Sequence, residues 1–254
     1  MISSFPYTLC GQTNDFSSLK AQELALLDLY EKSIQCMGSM ECDVNFLDQQ
    51  LAIKMSEMIK NNKKTFDYDF DKLKKAGLLE IYSSDDHQLK IYSWHKMPYT
   101  SMVSTYTIFQ YKTGAKIYTS FEKDSNLNIK DAVSKIEHIH TFNSGQKTYY
   151  FLIKNSILSS NEFVQSIEIT ELRNNTFHRK IPLFKTKTKV FGSIDFTFLR
   201  SSINDARNPY QLIQIDSNSK SIRIPVVDEQ LQVKKSYLKY VWNGHYFKYV
   251  GIEK

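Results

Sequence analysis

Apolar residues recur every three or four positions in the first part of the chain and every second position afterwards, so the sequence reads as a helical preface followed by a long run of strands. Leu24, Leu27, Tyr30 and Ile34 set the stripe of a first helix, capped by Ser17 or Ser18 and running to about Met37, where Gly38 stops it. Leu47, Leu51, Met55 and Met58 set the stripe of a second, capped by Asn45 and ending near Asn61 in an NNKK sequence suited to a helix C-terminus. Two helices joined by a short turn predict an antiparallel helical hairpin, with the methionines in its core.

The strand part opens on the clearest hairpin, Leu78 to Trp94 (LLEIYSSDDHQLKIYSW). Leu79 and Ile81 on one arm match Leu89 and Ile91 on the other. Pairing Ile81 with Ile91 puts aliphatic on aliphatic and leaves Asp85, Asp86 and His87 as a three-residue loop. Before it, Phe66, Tyr68 and Phe70 alternate as an extended approach, and Lys72 to Ala76 form a short helix stopped at Gly77. Asp67, Asp69 and Asp71 imitate the start of a calcium loop, but Lys72 stands where Gly is needed and Leu78 where the bidentate Glu belongs, so an EF-hand is rejected.

Further strands are expected at Tyr106 to Tyr111, Ala115 to Phe121, Ile136 to Phe142, Thr148 to Asn155, Phe163 to Leu172, Lys180 to Phe184, Lys189 to Phe198, Leu212 to Asp216, Ser221 to Val226, Lys235 to Trp242 and Tyr246 to Val250. Turn signals between them (NSG at Asn143, DSNSK at Asp216, NG at Asn243) point to successive antiparallel hairpins without a true repeat. The fold class is α+β: an N-terminal antiparallel helical hairpin, then a mainly antiparallel β meander, as a sandwich or a propeller-like sheet. No glycine-rich phosphate loop and no alternation of strands with long helices occur, which excludes a doubly wound nucleotide-binding fold.

Composition adds limits. Hydrophobic residues make up 41% of the 254, with 16 Phe and 16 Tyr, which is globular. Only 8 Gly and 5 Pro are present, so turns are built from Asn, Asp, Ser and Lys. A net charge of +6 is small for this length and reads as a dispersed surface, which argues against a nucleic-acid partner. No stretch approaches the eighteen or so apolar residues of a transmembrane span.

Residues 1–11, MISSFPYTLCG, are uncharged and end in small or apolar residues before Gln12, like the back half of a secretory signal peptide without its basic start. The organisation expected is therefore residues 1–11 as a signal-peptide remnant, 12–64 as the helical hairpin and 65–254 as the β body, compact with the helices. With Cys10 in the remnant, Cys36 and Cys42 flank the turn between the helices and suit a local disulfide in a periplasmic or secreted protein; the alternative is two free thiols in the cytoplasm.

Phe66-x-Tyr68-x-Phe70-x-x-Leu73, the Ser83–Trp94 segment SSDDHQLKIYSW and the segment from Asp216 to Phe247, DSNSKSIRIPVVDEQLQVKKSYLKYVWNGHYF, resemble uncharacterised secreted proteins of Bacteroidetes bacteria. The resemblance covers about residues 65 to 100 and 210 to 250. It implies an export signal, a helical N-terminal part and a β-rich body, and it supplies no catalytic residue. Where those proteins carry an Asp after the Ser-Trp pair, this chain has His95.

Candidate chemistry is sparse. His138 and His140, two apart in a strand, face one side and could chelate a metal; the alternative is a pair of surface or satisfied histidines, since no HExxH or Cys/His motif accompanies them. Asp85, Asp86 and His87 gather acid and base groups, but Asp is also simply a good turn residue. Lys185, Lys187 and Lys189 alternate with threonines as a basic stripe for an anionic partner, or as protection of an edge strand. The connection from Trp94 to Tyr106, with Met97, Tyr99 and Met102, reads as a contact patch or as a cap on the core. No GxSxG or other nucleophile motif occurs. Taken together, these features predict an exported binding protein without a cofactor, acting on a protein or glycan partner. Rival readings are a metal-dependent hydrolase using His138 and His140, and a toxin-neutralising inhibitor.

Overall fold

The computed structural model describes residues 16–37, 42–96, 105–121, 135–203, 211–218 and 220–254. Helix α1 (Ser17–Cys36) and helix α2 (Val44–Asn61) run antiparallel, so that Gln22 and Ala25 near the start of α1 share a groove with Met58 and Asn61 near the end of α2. The caps differ from those expected. Phe16 precedes α1 without a side-chain cap, and Asp43, two residues before Asn45, caps α2 by accepting from the N–H groups of Asn45 and Phe46.

The buried stripe of α1 is also rotated. Leu19, Glu23, Leu26, Tyr30, Ser33 and Cys36 face the protein, while Leu24 and Ile34 are 47% and 40% exposed. The cause is a partner far along the chain. Glu23 accepts from the Tyr68 hydroxyl at 2.5 Å and from the N–H groups of Lys72 and Leu73 at 2.8 and 3.2 Å, capping helix α3 (Asp71–Lys75). A carboxylate so supplied with donors can be buried, and periodicity of apolar residues cannot reveal it. On α2 the buried stripe is Asp48, Leu51, Met55, Met58 and Ile59, with Asp48 accepting from the Tyr106 hydroxyl at 3.0 Å.

Three sheets follow. The first has the order β1 (Glu80–Ser83), β2 (Leu89–His95), β3 (Thr105–Thr113), β4 (Lys116–Phe121), all antiparallel. The second is built on β5 (Lys135–Ser144), β6 (Lys147–Ile157) and β7 (Glu162–Arg173), with β8 (Thr176–His178) and β11 (Ser193–Leu199) both pairing β7. The third runs β10 (Val190–Phe191), β9 (Phe184–Lys185), β15 (Phe247–Glu253), β14 (Val233–Trp242), β13 (Ser221–Val227), β12 (Gln214–Asp216), with β15 and β9 parallel.

The elements stack as helices, first sheet, second sheet, third sheet. Tyr92, Trp94 and Ile108 pack on the helices, while Leu89, Ile91, Phe109 and Tyr111 of the same strands pack on Ile136, Ile139, Tyr150 and Leu152 of the second sheet. The opposite face of the second sheet, with Tyr149, Phe151, Ile153 and Ile167, meets Phe184, Ile222, Tyr240 and Phe247 of the third. Sheets two and three therefore form a sandwich to which the first sheet adds a layer. Burial on both faces is why Tyr149 to Ile153 in β6 reads as an unbroken apolar run.

That double burial also shifts the opening hairpin. Ile81 pairs with Tyr92 and Tyr82 with Ile91, one residue away from the expected Ile81–Ile91 register. The aliphatic-to-aliphatic rule needs one wet face, and here one side of the sheet meets helices and the other meets a sheet. The loop is held by Asp86, which accepts from Ser84 Oγ at 2.6 Å, the Gln88 N–H at 3.1 Å and the Tyr150 hydroxyl at 2.9 Å. Asp86 is thus a structural turn residue.

Two strand boundaries differ as well. β8 lies before the expected Lys180 strand, and the expected Lys189–Phe198 strand is split into β10 and β11 at Gly192. A Cβ at Gly192 would lie 2.0 Å from the Lys180 carbonyl oxygen, so the two chain segments cross where only glycine fits.

Candidate binding cleft

Strand β5 is the edge of the second sheet, and a β-bulge between Ile136 and His138 interrupts its pairing with β6. The extra residue lets Ile136 and Ile139 both face the first sheet, and it leaves His138 and His140 on the side of the third sheet. There a cleft of about 400 Å³ is lined by Glu137, His138, His140 and Ile153 on one wall, and by Gln211, Ile213, Gln214 and Ile215 on the other.

The second wall is the segment leading into β12. It is fastened by the fully buried Gln165 of β7, whose side-chain oxygen accepts from the Ile213 N–H at 2.8 Å and whose amide nitrogen donates to Asn155 at 2.8 Å. The outer end of the cleft is bridged by His140 Nε2 and Ser217 Oγ, 3.1 Å apart, so edge strand and β12–β13 turn are tied together. The His140 ring lies over Phe151, with centroids 5.9 Å apart.

Burial holds the His140 imidazole below its usual range; the Asp85 charge opposes this and His138 adds to it. His140 is therefore neutral near pH 7, offering one donor and one acceptor. Burial pushes the Glu137 carboxyl up, against the Lys135 ammonium 3.5 Å away, and the Glu80 charge raises it further. Lys135 also bridges to Glu80 at 2.9 Å, joining β5 to β1. The cleft thus offers imidazole, carboxyl and amide groups over an isoleucine floor, the mixture of apolar wall and few polar groups typical of ligand sites.

The histidine pair is brought together, but among the described residues no group of three or more His, Cys, Asp or Glu side chains is placed to hold a metal ion. Glu168 is no third ligand. It lies buried on β7, accepting from Lys154 Nζ at 2.8 Å and from Arg179 Nε and Nη2 at 2.6 and 2.9 Å. Burial would raise its pKa, but Arg179 and Lys154 outweigh this and hold it at about 2.

The other candidates disperse. Trp94 is only 2% exposed and stacks on Tyr106, with centroids 5.3 Å apart, in the helix–sheet core; it is a packing residue and not a surface anchor. Met97 and Tyr99 lie outside the described residues. Lys185, Lys187 and Lys189 do not form an extended row. The chain turns back at Thr186, whose N–H donates to the Lys189 carbonyl at 2.9 Å, and Lys185 lies over the Tyr246 ring at 4.7 Å while Lys187 and Lys189 stand exposed at the tip beside edge strand β10. Cys36 and Cys42 are joined, with Cα atoms 5.8 Å apart.

Gln211, Gln214, Ile213 and Ile215 were not singled out by sequence reasoning, and no signal marks them, since they gain their place only by crossing from one sheet to another. Among the described residues no helix is long and apolar enough to cross a membrane. No family model, curated protein or solved structure matches the chain.

Proposed function

We propose that this is a binding protein, and that the cleft between β5 and the segment leading into β12 holds a short polar ligand, a peptide segment or a glycan of a partner. The observation that carries the reading is a cleft between two sheet edges in which neutral His140, His138, Glu137 and two glutamines surround three isoleucines. The neutral His140 imidazole and the glutamine amides both donate and accept, which suits amide or hydroxyl groups better than a strongly charged ligand. Without a third ligand among the described residues, the two histidines serve better as hydrogen-bonding groups than as a metal centre.

The test is to screen the protein against peptide and glycan arrays, then measure the hits by calorimetry with His138→Ala and Gln211→Ala. Each substitution is expected to weaken a true ligand about tenfold, the scale of one lost hydrogen bond in a desolvated site. Hits whose affinity is unchanged in both variants would remove the cleft as the site.

The same proposal places the protein outside the cytoplasm, in the periplasm or secreted. Its support is the Cys36–Cys42 pair, because such bonds persist in oxidising compartments. Thiol counting on unreduced, unfolded protein isolated from its native compartment should find neither of these two cysteines free. Three free thiols would return the chain to a reducing compartment.

A further inference from the structure

Strand β4 is built unlike the other edges of the three sheets. β1 is four residues long and is joined to β5 through Glu80 and Lys135; β10 and β12 have two and three residues. β5 carries a bulge together with Lys135 and Glu137, and β11 carries Asp195 at its third position. Short length, bulges and charges are the devices by which sheet edges refuse a further strand. β4, Lys116–Phe121, has six residues in regular register with β3, and its only charge is at its first position.

The edge of β4 that no described strand covers can be read from the hairpin that forms it. Thr113 and Lys116 close a two-residue loop, Gly114–Ala115, with Gly114 at φ +61°, as a II′ turn with glycine first requires. The closing pair of such a hairpin exchanges both hydrogen bonds, so Lys116, Tyr118 and Ser120 bond to β3. The N–H and C=O groups of Ile117, Thr119 and Phe121 then point away from β3, toward an edge where no described strand lies. Ile117 and Thr119 are half-buried, and Phe121 is 40% exposed.

Only another strand offers the matching alternation of donors and acceptors, and this edge is complementary to itself. An antiparallel two-fold centred on Thr119 sets Thr119 against Thr119 and Ile117 against Phe121 of the second copy. All three outward residues of each copy are then bonded, whereas a centre at Tyr118 or Ser120 leaves one unpaired. A Thr–Thr pair flanked by aliphatic–aromatic pairs is a favourable cross-strand set. We propose that β4 is a homodimerisation edge, joining the first sheets of two copies into one continuous eight-stranded antiparallel sheet.

The test is sedimentation velocity of the whole protein over about 1 to 100 µM, a range in which a modest dimer dissociates visibly. Wild type should show a concentration-dependent dimer. Thr119→Pro removes one outward donor, which an edge strand tolerates, and Phe121→Lys, at the exposed outward residue, sets an ammonium against Ile117 of the second copy on each side of the two-fold. Each should raise the dissociation constant at least about tenfold with unchanged circular dichroism. If the proline variant unfolds, the lysine variant decides. A wild type that stays monomeric throughout, or a Phe121→Lys protein that dimerises as wild type does, overturns the proposal. A monomer that instead protects the Ile117, Thr119 and Phe121 amides from exchange only on adding a foreign peptide would also overturn it, and would assign the edge to another protein's strand.

Discussion

The layer between helices and first sheet and the layer between second and third sheets are buried to a similar degree but held differently. Against the helices the buried surface is full of polar groups with partners. Lys90 donates to the carbonyls of Phe66 and Tyr68 at 3.0 and 2.8 Å, the Tyr92 hydroxyl lies 2.8 Å from both Thr65 O and Gln110 Oε1 and shares its one proton between them, and Gln110 donates to Ile59 O at 2.9 Å. In the sandwich, rings meet rings. Phe184 touches Phe191, Tyr240 and Phe247, and Phe142 touches Phe151, Trp242 and Phe247. The difference teaches that the sandwich draws chiefly on non-directional burial, with Gln165 as its directional tie, whereas the helices, although rings also meet there, are fixed in one position by directional bonds whose loss would leave groups unpaired.

That contrast can be broken most forcefully in the sandwich. Phe184→Ala empties a fully buried ring site and should lower stability by about 3–5 kcal/mol, with no helix-side partner involved. Equilibrium urea unfolding measures it. A loss below about 1 kcal/mol would mean that the aromatic layer closes over the gap and is less tightly packed than the geometry indicates.

On the helix side the decisive group is Glu23. Glu23→Ala strands the Tyr68 hydroxyl and the first N–H groups of α3, and should cost about 2–3 kcal/mol, the desolvation penalty of unpaired buried donors. Glu23→Leu should not recover the loss, although it is the more hydrophobic residue. If leucine stabilises, the polar groups of this layer are incidental to its position.

The smallest effect is a rise of stability with pH that belongs to the helix side alone. Burial lowers the Lys90 pKa to about 8, against the favourable charges of Asp69 and Asp67. The unfolded chain then holds a proton between pH 8 and about 10.5 that the folded chain has released, so stability rises with pH, by about 1 kcal/mol from pH 8 to 9. Above pH 10 the sign reverses. Tyr68, Tyr82, Tyr92 and Tyr150 are pushed well above the usual tyrosine value, by burial first, so the unfolded chain ionises while the folded one does not. Chemical denaturation at pH 8 and 9 for wild type and Lys90→Met should show the rise only in wild type. An equal rise in both would assign it elsewhere.

Most strands were legible because alternation and turn residues are local signals. The expected Phe163–Leu172 and Thr148–Asn155 strands lie inside β7 and β6; the NG signal falls between β14 and β15, and of NSG only Gly145 lies in the turn, Asn143 and Ser144 being paired at the end of β5. The cleft was legible only in its histidines. His138 and His140 share a side, as their spacing required, but what stands opposite them is contributed by residues some seventy positions later.

The sequence by itself determined the α+β class, the two helices and nearly all the strands, since helix and strand periods are properties of neighbours a few residues apart. The tertiary structure alone decided which face of α1 is buried, the register of the β1–β2 hairpin, the fate of Trp94 and the existence of the cleft. Each of these depends on a partner distant in sequence: Tyr68 and α3 for Glu23, sheet and helices on opposite sides of Ile91 and Tyr92, Tyr106 for Trp94, and Gln165 for the wall at Ile213. A strand covered on both faces carries no polar face to mark its register, so only packing against those partners can select it.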